Sequence, residues 1–161
     1  MRLTFQVTPD QRIVFTAHAV SQMIAFRQQS RWQAEAGGVL LGRHLLDSND
    51  FVVDEVTAPQ REDIRSRFSF FRSKQHNAVA QMRWRRERQT LAYLGLWHTH
   101  PEADPTPSRT DRKDWEQAVS QDTFDGDRLF FPIIGTEAIR VWSKCRRGVI
   151  EELNQLGTID E

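Results

Sequence analysis

The chain has 161 residues, with 22 basic and 22 acidic side chains, so its formal net charge at pH 7 is zero. This length suits one hydrophobic core, and we expect a single domain over residues 1–161. The balanced charge gives no overall attraction to nucleic acid or to a membrane surface. Cys145 is the only cysteine, which excludes an intrachain disulfide. No segment of the sequence is apolar enough for a bilayer span, so we expect a cytoplasmic protein with no membrane partner.

Short runs of alternating apolar and polar residues open the chain and predict a β-hairpin. Residues 3–7 and 12–15 are its expected strands, joined by a turn at residues 9–10. Thr16 is a suitable N-cap for a helix that follows and ends near Arg27, with one apolar face.

The rest of the sequence alternates between strand and helix patterns. We expect strands over residues 37–42, 51–56, 91–97, 128–134 and 138–144, and helices over residues 75–88 and 108–121. In the helix over residues 75–88, Ala78, Val79 and Met82 are expected to face the core and most arginines to face solvent. This mixture of elements predicts an α/β (α+β) fold in which helices pack on a sheet.

Two histidines separated by one residue are the strongest chemical signal in the sequence. His98 and His100 follow a predicted strand, in which residues two apart share a face. Both imidazoles are therefore expected to point to one side. The same alternation assigns Leu94 and Leu96 to the face of the histidines, and Tyr93, Trp97 and Thr99 to the opposite face.

A carboxylate follows at a spacing that suits the same site. A loop with two prolines leads to a helix that starts near Ser108, and Asp111 lies one turn into that helix. Two imidazoles and one carboxylate provide three protein ligands and leave a position for water, as in catalytic zinc sites. We therefore expect one Zn²⁺ per chain, bound by His98, His100 and Asp111, and hydrolysis by an activated water.

Glu35 and Ser108 complete the expected catalytic site. Glu35 precedes a Gly-Gly pair that allows close backbone approach, and its carboxylate is the best candidate for the proton shuttle. Ser108 is placed to donate a hydrogen bond to a developing oxyanion. Each residue also has a simpler interpretation. Ser108 and Asp111 match a helix capping box, and an isolated Glu35 is more often a solvated carboxylate.

Other kinds of chemistry suit the sequence less well. A zinc nucleobase deaminase needs a His-x-Glu motif with a later Cys-x-x-Cys, and Cys145 is the only cysteine. This one thiol has no histidine close in sequence, so a cysteine protease is also disfavoured. His18, His44 and His76 have no partner at metal-binding spacing, so we expect ordinary helix or surface residues.

Basic residues cluster between Arg61 and Arg88, where nine basic side chains accompany three acidic ones. With Trp84 among the arginines, this composition would also suit a nucleic-acid-binding module. A run of arginines on a helix is more often a solvated face, so nucleic-acid binding is the less favoured interpretation. Docking of an acidic protein partner is the other role open to this cluster.

The five site residues together resemble the signature of the JAMM, or MPN-plus (JAB domain), metalloproteases: an upstream Glu, then His-x-His, seven residues, Ser, two residues and Asp. The resemblance implies that Glu35 is the general acid/base, that His98, His100 and Asp111 bind zinc, and that Ser108 helps to hold the tetrahedral intermediate. It also implies the fold of an MPN/JAB domain, a curved mixed β-sheet flanked by helices, as in cytidine-deaminase-like domains.

A narrower resemblance implies a substrate. Residues 67–72, residues 93–102 and Trp115 look like the corresponding parts of the short bacterial JAMM proteases encoded in CBASS anti-phage operons. Those proteins reverse a ubiquitin-like conjugation in which an E1-E2 fusion joins the C-terminus of a cGAS-like nucleotidyltransferase to target amines. The implied activity is that of a zinc isopeptidase whose substrate is the conjugated nucleotidyltransferase and whose antagonist is the E1-E2 fusion enzyme.

Two alternatives to this substrate remain open. A JAMM peptidase of this kind would also suit a sulfur-carrier protein or another small ubiquitin-like protein. In addition, residues 104–108 resemble a loop of RadC-type JAMM proteins, which would favour a RadC-like nucleic-acid-binding protein.

Overall fold

Strands and helices alternate along much of the chain in a computed structural model, which describes residues 1–86 and 90–159. The strands are β1 (Arg2–Thr8), β2 (Gln11–Phe15), β3 (Gly37–His44), β4 (Phe51–Val56), β5 (Ile64–Ser66), β6 (Ser69–Phe71), β7 (Ala92–Thr99), β8 (Arg128–Ile134), β9 (Ile139–Cys145), β10 (Ile150–Glu152) and β11 (Asn154–Ile159); the helices are α1 (Ala17–Ile24), α2 (Gln75–Arg86) and α3 (Arg109–Gln121). This content confirms the α/β (α+β) class.

The main sheet is mixed and strongly curved. Its strand order is β10-β9-β8-β7-β3-β4-β2-β1-β11, with β2 parallel to β4, β7 parallel to β8, and the other pairs antiparallel. The two edge strands, β10 and β11, are consecutive in the chain and are separated by Leu153 alone. Because one residue connects them, the sheet curves until its two edges are neighbours.

Helices cover both faces of this sheet and divide the core into two clusters. Helix α1 packs on β1 and β4, and its Val20 and Met23 join Phe15 in the first cluster. Helix α3 packs on β8 and β9, and its Trp115 and Val119 belong to the second cluster. A curved mixed sheet flanked by helices is the architecture that the resemblance to MPN/JAB domains implies.

Helix α1 is shorter than the sequence predicts. Its N-cap is Thr16, as expected, and Thr16 Oγ1 accepts a hydrogen bond from the Ala19 N–H group at 3.1 Å. The helix ends at Ile24 because the N–H groups of Phe26 and Arg27 donate to carbonyls three residues back, which tightens the last turn. No helix within residues 1–86 or 90–159 is long and apolar enough to span a membrane.

A β-bulge in β7 changes the face on which two side chains lie. The register between β3 and β7 shifts so that Leu40 pairs with Gly95 and Leu41 with Tyr93, which leaves Leu94 as the extra residue. Leu94 consequently packs in the same cluster as Trp97, whereas Tyr93 packs with Leu96 in the other. The assignment of these two side chains from simple alternation was therefore wrong, because a bulge reverses the alternation of every residue beyond it.

Helix α2 also differs from its predicted orientation. Met82 is 52% exposed, Ala78 is exposed and Val79 is half-buried, so the expected inward face was wrong. His76 is the buried residue of this helix. The helix has a weak apolar face. The hydrogen bonds of His76, in its first turn, decide how it packs. The last two residues of the predicted helix, at positions 87–88, lie outside the described residues.

Four strands were missed in the sequence, and three of them, β5, β6 and β10, have only three residues each. Strands β5 and β6 form a hairpin of their own, and β10 and β11 provide the two edges of the sheet. Strand β6 pairs through three residues, and β10 does the same. Runs of this length are too short to show a period of two, so pairing to neighbours decides their conformation.

A buried hydrogen-bonded chain anchors α2 and the β5–β6 hairpin to the sheet. His76 Nδ1 lies 2.6 Å from Thr57 Oγ1, and His76 Nε2 lies 2.7 Å from Asp63 Oδ2. The Asp63 carboxylate also accepts from the N–H groups of Gln60 and Ser73, at either end of the hairpin segment. His76 is thus a structural anchor, in contrast to the ordinary helix or surface position expected, whereas His18 and His44 are exposed.

We predict that Asp63→Asn destabilises the protein by about 2 kcal/mol at pH 7, because it removes a buried, charged hydrogen-bond acceptor. Burial alone would raise the pKa of Asp63, but hydrogen bonds from Gln60, His76 and Ser73 lower it. Since the folded pKa lies below the unfolded one, this stabilisation is present above the unfolded pKa and is lost as the pH falls through the folded pKa.

Urea unfolding of wild type and Asp63→Asn at a series of pH values measures this effect. The difference in free energy of unfolding should shrink as the pH falls from about 5 to below 3. Glu62→Gln, a change in the exposed neighbouring carboxylate, is the matched control and should show little difference at any pH. A difference for Asp63→Asn that stays constant down to low pH would contradict the assigned ionisation.

Candidate metal centre

The two histidines of the motif converge at the end of the central strand β7. His98 pairs with Gly37 of β3 on one side and with Ile133 of β8 on the other, so its backbone is held from both sides. The N–H group of His100 donates to the carbonyl of Ile134 at 3.1 Å. With both backbones fixed, the two Nε2 atoms lie 3.0 Å apart, which confirms that the imidazoles point to one side.

The residue between the histidines faces away from them and secures the strand end. Thr99 is completely buried, and its hydroxyl donates to Gln28 Oε1 and accepts from the Ala36 N–H group, each at 2.9 Å. The Thr99 N–H group in turn donates to the carbonyl of Ala36 at 2.9 Å. These bonds join the end of β7 to the residue just before β3, which is also the neighbour of Glu35.

A capping box at the start of α3 directs Asp111 toward the histidines. Ser108 Oγ accepts from the Asp111 N–H group at 3.0 Å, and Asp111 Oδ2 accepts from the Ser108 N–H group at 2.8 Å. The capping interpretation of this pair is thus correct, and it coexists with a position at the site. The cap uses a lone pair of the Ser108 hydroxyl and does not engage its proton. Ser108 also lines the cleft.

The donor atoms of three residues are arranged as a metal ion would require. Asp111 Oδ1 lies 3.2 Å from His98 Nε2, and Asp111 Oδ2 lies 3.0 Å from His100 Nε2. Ligands bound to tetrahedral zinc at about 2.0–2.1 Å are separated by about 3.3 Å, close to these values. One ligand atom from each residue lies within 4.8 Å of the others. The set of two imidazoles and a carboxylate therefore fits a zinc ion with one further position left for water.

The Asp111 carboxylate is suited to act as an anionic ligand. Burial alone would raise the pKa of Asp111, but hydrogen bonds from His100, His98 and the Ser108 N–H group hold this pKa far below its usual range. The carboxylate is thus ionised at neutral pH. Its negative charge favours a cation between the two imidazoles.

Glu35 lies beside this cluster and is buried, in contrast to a solvated surface carboxylate. Its Oε1 atom is 3.7 Å from His100 Nε2, and the residue is 5% exposed. Burial is the main cause that raises the pKa of the Glu35 carboxyl to about 7; the charge of His100 opposes this shift, and the charges of Asp111 and Glu102 add to it. A carboxyl group with a pKa near neutrality can both accept and release a proton under physiological conditions.

The backbone of Glu35 is held by the β5–β6 hairpin. The Glu35 N–H group donates to the carbonyl of Ser66, and Arg65 Nε donates to the carbonyl of Glu35, each at 2.7 Å. The Gly-Gly pair that follows allows the close approach expected from the sequence. A Cβ atom at Gly37 would lie 2.6 Å from the carbonyl oxygen of Trp97, so a larger residue would separate the two strands.

A cleft of about 370 Å³ opens over these residues. One wall is the segment from Phe68 to Arg72, which includes β6, and the other is the first half of α3 from Ser108 to Trp115. Leu96 of β7 lies at its base. All five residues expected in the site, Glu35, His98, His100, Ser108 and Asp111, line this one cleft.

Glu102 is a site residue that the sequence interpretation missed. His100 Nδ1 is buried and has no hydrogen-bond partner among the described residues, and Glu102 Oε1 lies 3.6 Å from it. The Thr106 N–H group donates to the other oxygen, Glu102 Oε2, at 3.1 Å and orients the carboxylate. A metal-bound histidine usually donates its second N–H to such a carboxylate. The signal in the sequence was a Glu two residues after the second histidine.

Several arginines of the basic cluster between residues 61 and 88 form contacts within the protein, whereas Arg61, Arg85 and Arg86 are exposed. Arg83 forms an ion pair with Glu55 at 2.6 Å, and Arg72 forms one with Asp114 at 3.3 Å. Arg65 holds the Glu35 carbonyl. The described arginines are thus divided between the hairpin and α2 and have several different partners, which weakens the interpretation as one nucleic-acid-binding face.

Comparison with known proteins agrees with this geometry. A family described as prokaryotic homologs of the JAB domain matches residues 16–145, a range that contains all five cleft residues. The chain belongs to this family. Two curated relatives are about one third identical to this chain. A CD-NTase/cGAS isopeptidase of Vibrio cholerae is 33% identical over 123 residues, which cover 76% of this chain and 78% of that protein.

The second relative is a CD-NTase/cGAS isopeptidase of Pseudomonas aeruginosa, 35% identical over 125 residues that cover 75% of this chain and 77% of that protein. A solved structure supports the fold independently. The solution structure of protein DSY2949 from Desulfitobacterium hafniense has 23% identity and a TM-score of 0.61, and it covers 86% of this chain and 87% of that chain. As a prokaryotic JAB protein, the chain is a JAMM-type metalloprotease, and the JAMM resemblance seen in the sequence is confirmed.

We predict that Glu102→Gln and Glu102→Ala lower the affinity for zinc about 10- to 100-fold, because His100 loses the carboxylate that faces its second nitrogen. Competition with a chromophoric chelator measures this affinity directly. Asp104→Asn is the control, since Asp104 is exposed and faces Arg140 instead of a histidine. Equal zinc affinity in wild type and both Glu102 variants would remove this residue from the site.

Proposed function

We propose that the protein is a zinc-dependent isopeptidase that releases a protein conjugated through its C-terminus to a target amine. The observation that carries this proposal is the meeting of Glu35, two histidines, Asp111 and Ser108 in one cleft. The conjugated protein we infer is a cGAS-like nucleotidyltransferase, since two relatives are named CD-NTase/cGAS isopeptidases. The antagonist of this reaction would be the E1-E2 fusion enzyme that forms the conjugate in a CBASS anti-phage system.

His98, His100 and Asp111 would hold the zinc ion. Zinc bound there would polarise the scissile carbonyl and acidify the attacking water. The capping box and the strand pairing hold the three ligands through contacts within the protein, which favours a fixed arrangement of donor atoms. A preorganised ligand set favours affinity because ordering costs are already met in folding.

Glu35 would serve as the proton shuttle. Its carboxylate takes a proton from the water whose oxygen forms a bond with the carbonyl carbon, and then gives that proton to the nitrogen as the C–N bond breaks. The products are a free C-terminal carboxylate and a free amine. Burial beside His100 supports this role, because it raises the pKa of Glu35 to about 7.

Ser108 would stabilise the oxyanion. Its hydroxyl proton is not engaged by the helix cap, and the residue lines the cleft on the α3 side. Glu35 reaches the cluster from the β3 side. The Ser108 hydroxyl can thus donate a hydrogen bond to the carbonyl oxygen from one side of the cleft, while Glu35 transfers the proton from the water to the leaving nitrogen from the other side.

We predict that Glu35→Gln retains about one equivalent of zinc and lowers hydrolysis by about 10²- to 10⁴-fold, because it removes the shuttle and leaves the ligands in place. Metal analysis and single-turnover cleavage measure the two effects separately. Glu116→Gln, at an exposed position of α3, is the control. Activity of Glu35→Gln within a few-fold of wild type would exclude Glu35 from catalysis.

The substrate is tested with model conjugates. A reporter protein joined through the C-terminal tail of a cGAS-like nucleotidyltransferase should be cleaved at the junction by zinc-loaded protein, and neither chelator-treated protein nor His98→Ala should cleave it. A parallel reporter carries the tail of a sulfur-carrier protein. Faster cleavage of the sulfur-carrier junction would replace the proposed substrate, and cleavage of neither junction would refute the isopeptidase proposal.

A further inference from the structure

An ion pair lies across the groove that leads away from the metal centre. Arg72, just after β6, and Asp114, one turn beyond Asp111 on α3, stand on opposite walls of the cleft. Their side chains meet through contacts of 3.3 Å and 3.4 Å. We propose that this pair is a strap over the substrate path, and that the tail of the conjugated protein takes the place of Asp114 as the partner of Arg72. This inference rests on the proposed function.

The groove continues beyond the strap. A second groove of about 680 Å³ shares Arg72 and Leu96 with the metal cleft, so the two spaces are neighbours on either side of these residues. The floor of the second groove is apolar and comes from β3 and β7. The residues of that floor are Val39, Tyr93 and Leu96.

The walls of the second groove are polar and come from the two helices. On the α2 side the wall has hydrogen-bonding side chains, Ser73, Lys74, Asn77 and Gln81, and on the α3 side it has Gln121, Asp122 and Thr123. An apolar floor between hydrogen-bonding walls suits an extended peptide, whose side chains pack below while its backbone groups bond to the sides.

The occupant we assign to this groove is the tail on the carbonyl side of the scissile bond. The target amine contributes a single lysine side chain, which is too short to fill a second space beyond the cleft. An extended tail advances about 3.3 Å per residue and would follow the groove for several residues. Its carbonyl oxygens, or a carboxylate side chain, are acceptors for the guanidinium of Arg72.

The Arg72–Asp114 ion pair of the strap is easily broken. Arg72 is 25% exposed and Asp114 is 43% exposed, so water competes for both partners. Exposed ion pairs contribute little to stability, so breaking this one requires little free energy. Its contacts are also longer than those of the Arg83–Glu55 pair, which measure 2.6 Å and 3.0 Å. A tail that offers Arg72 a less solvated acceptor inside the groove can therefore displace Asp114.

The two partners of the strap should affect binding in opposite directions. Asp114→Asn releases Arg72 from its competitor and should tighten tail binding by about threefold. Arg72→Gln removes the charged donor and should weaken binding by about tenfold or more. A pair with a merely structural role would give changes of the same sign, since either substitution breaks the same contact. The opposite signs are the signature of a strap that the substrate replaces.

The test measures the affinity of a fluorescent nucleotidyltransferase-tail peptide for zinc-loaded Glu35→Gln protein, with Asp114→Asn or Arg72→Gln added. The same substitutions in active protein should change KM, in the same directions, more than kcat. Arg72→Lys, which retains the charge and loses the fork of donors, should bind with intermediate affinity. Glu116→Gln is the control on α3 and should leave the affinity unchanged.

Changes of the same sign for the two partners, or no change in either, would overturn the strap, as would failure of the peptide to bind the zinc-loaded protein. The proposed isopeptidase activity fails by a different result, namely the absence of junction cleavage by wild-type protein. Binding with opposite signs but no cleavage would support the groove and refute the reaction. Cleavage with same-sign effects would support the reaction and refute the strap.

Discussion

The pairing of β3 with β7 is the constraint on which the site depends. Gly37 pairs with His98, and the bonds between Ala36 and Thr99 close the end of this ladder. These contacts bring Glu35, just before β3, to the histidines at the end of β7. The pairing is close because glycine stands at position 37, where a Cβ would come within 2.6 Å of the Trp97 carbonyl oxygen. A side chain there would move Glu35 away from the two histidines.

A second set of polar contacts sets the position of the cleft wall. The Asp63–His76–Thr57 chain secures the segment that carries β5 and β6, and the Trp97 indole N–H group donates to the Thr57 carbonyl at 3.0 Å. Trp97 immediately precedes His98 in β7. The wall and the candidate metal centre are therefore both attached to strand β7. Apolar packing contributes little to the position of α2, which follows the wall segment in the chain. The position of this wall therefore depends on buried hydrogen bonds.

The geometry of the candidate metal centre could be predicted from sequence because it depends on short-range contacts. Residues two apart on a strand share a face, and a Ser-x-x-Asp pair caps a helix, so the orientation of His98, His100 and Asp111 follows from spacing. Predictions failed where one inserted residue or a distant partner decided the outcome. The bulge at Leu94 placed Tyr93 and Leu94 on the faces opposite to those predicted. The contact of Asp63 with His76 fixes α2 in an orientation that leaves Met82 exposed instead of buried.

The sequence by itself determined which three residues are the candidate metal ligands, the JAMM family and most of the strands and helices, since each depends on residues close together in the chain. The tertiary structure decided what no local pattern specifies. It placed Glu35 beside His100, set Glu102 against the second nitrogen of that ring, and brought Arg72 across the groove to Asp114. In the first and third of these contacts, residues far apart in the chain meet because strand register and helix packing, which are long-range properties, bring them together.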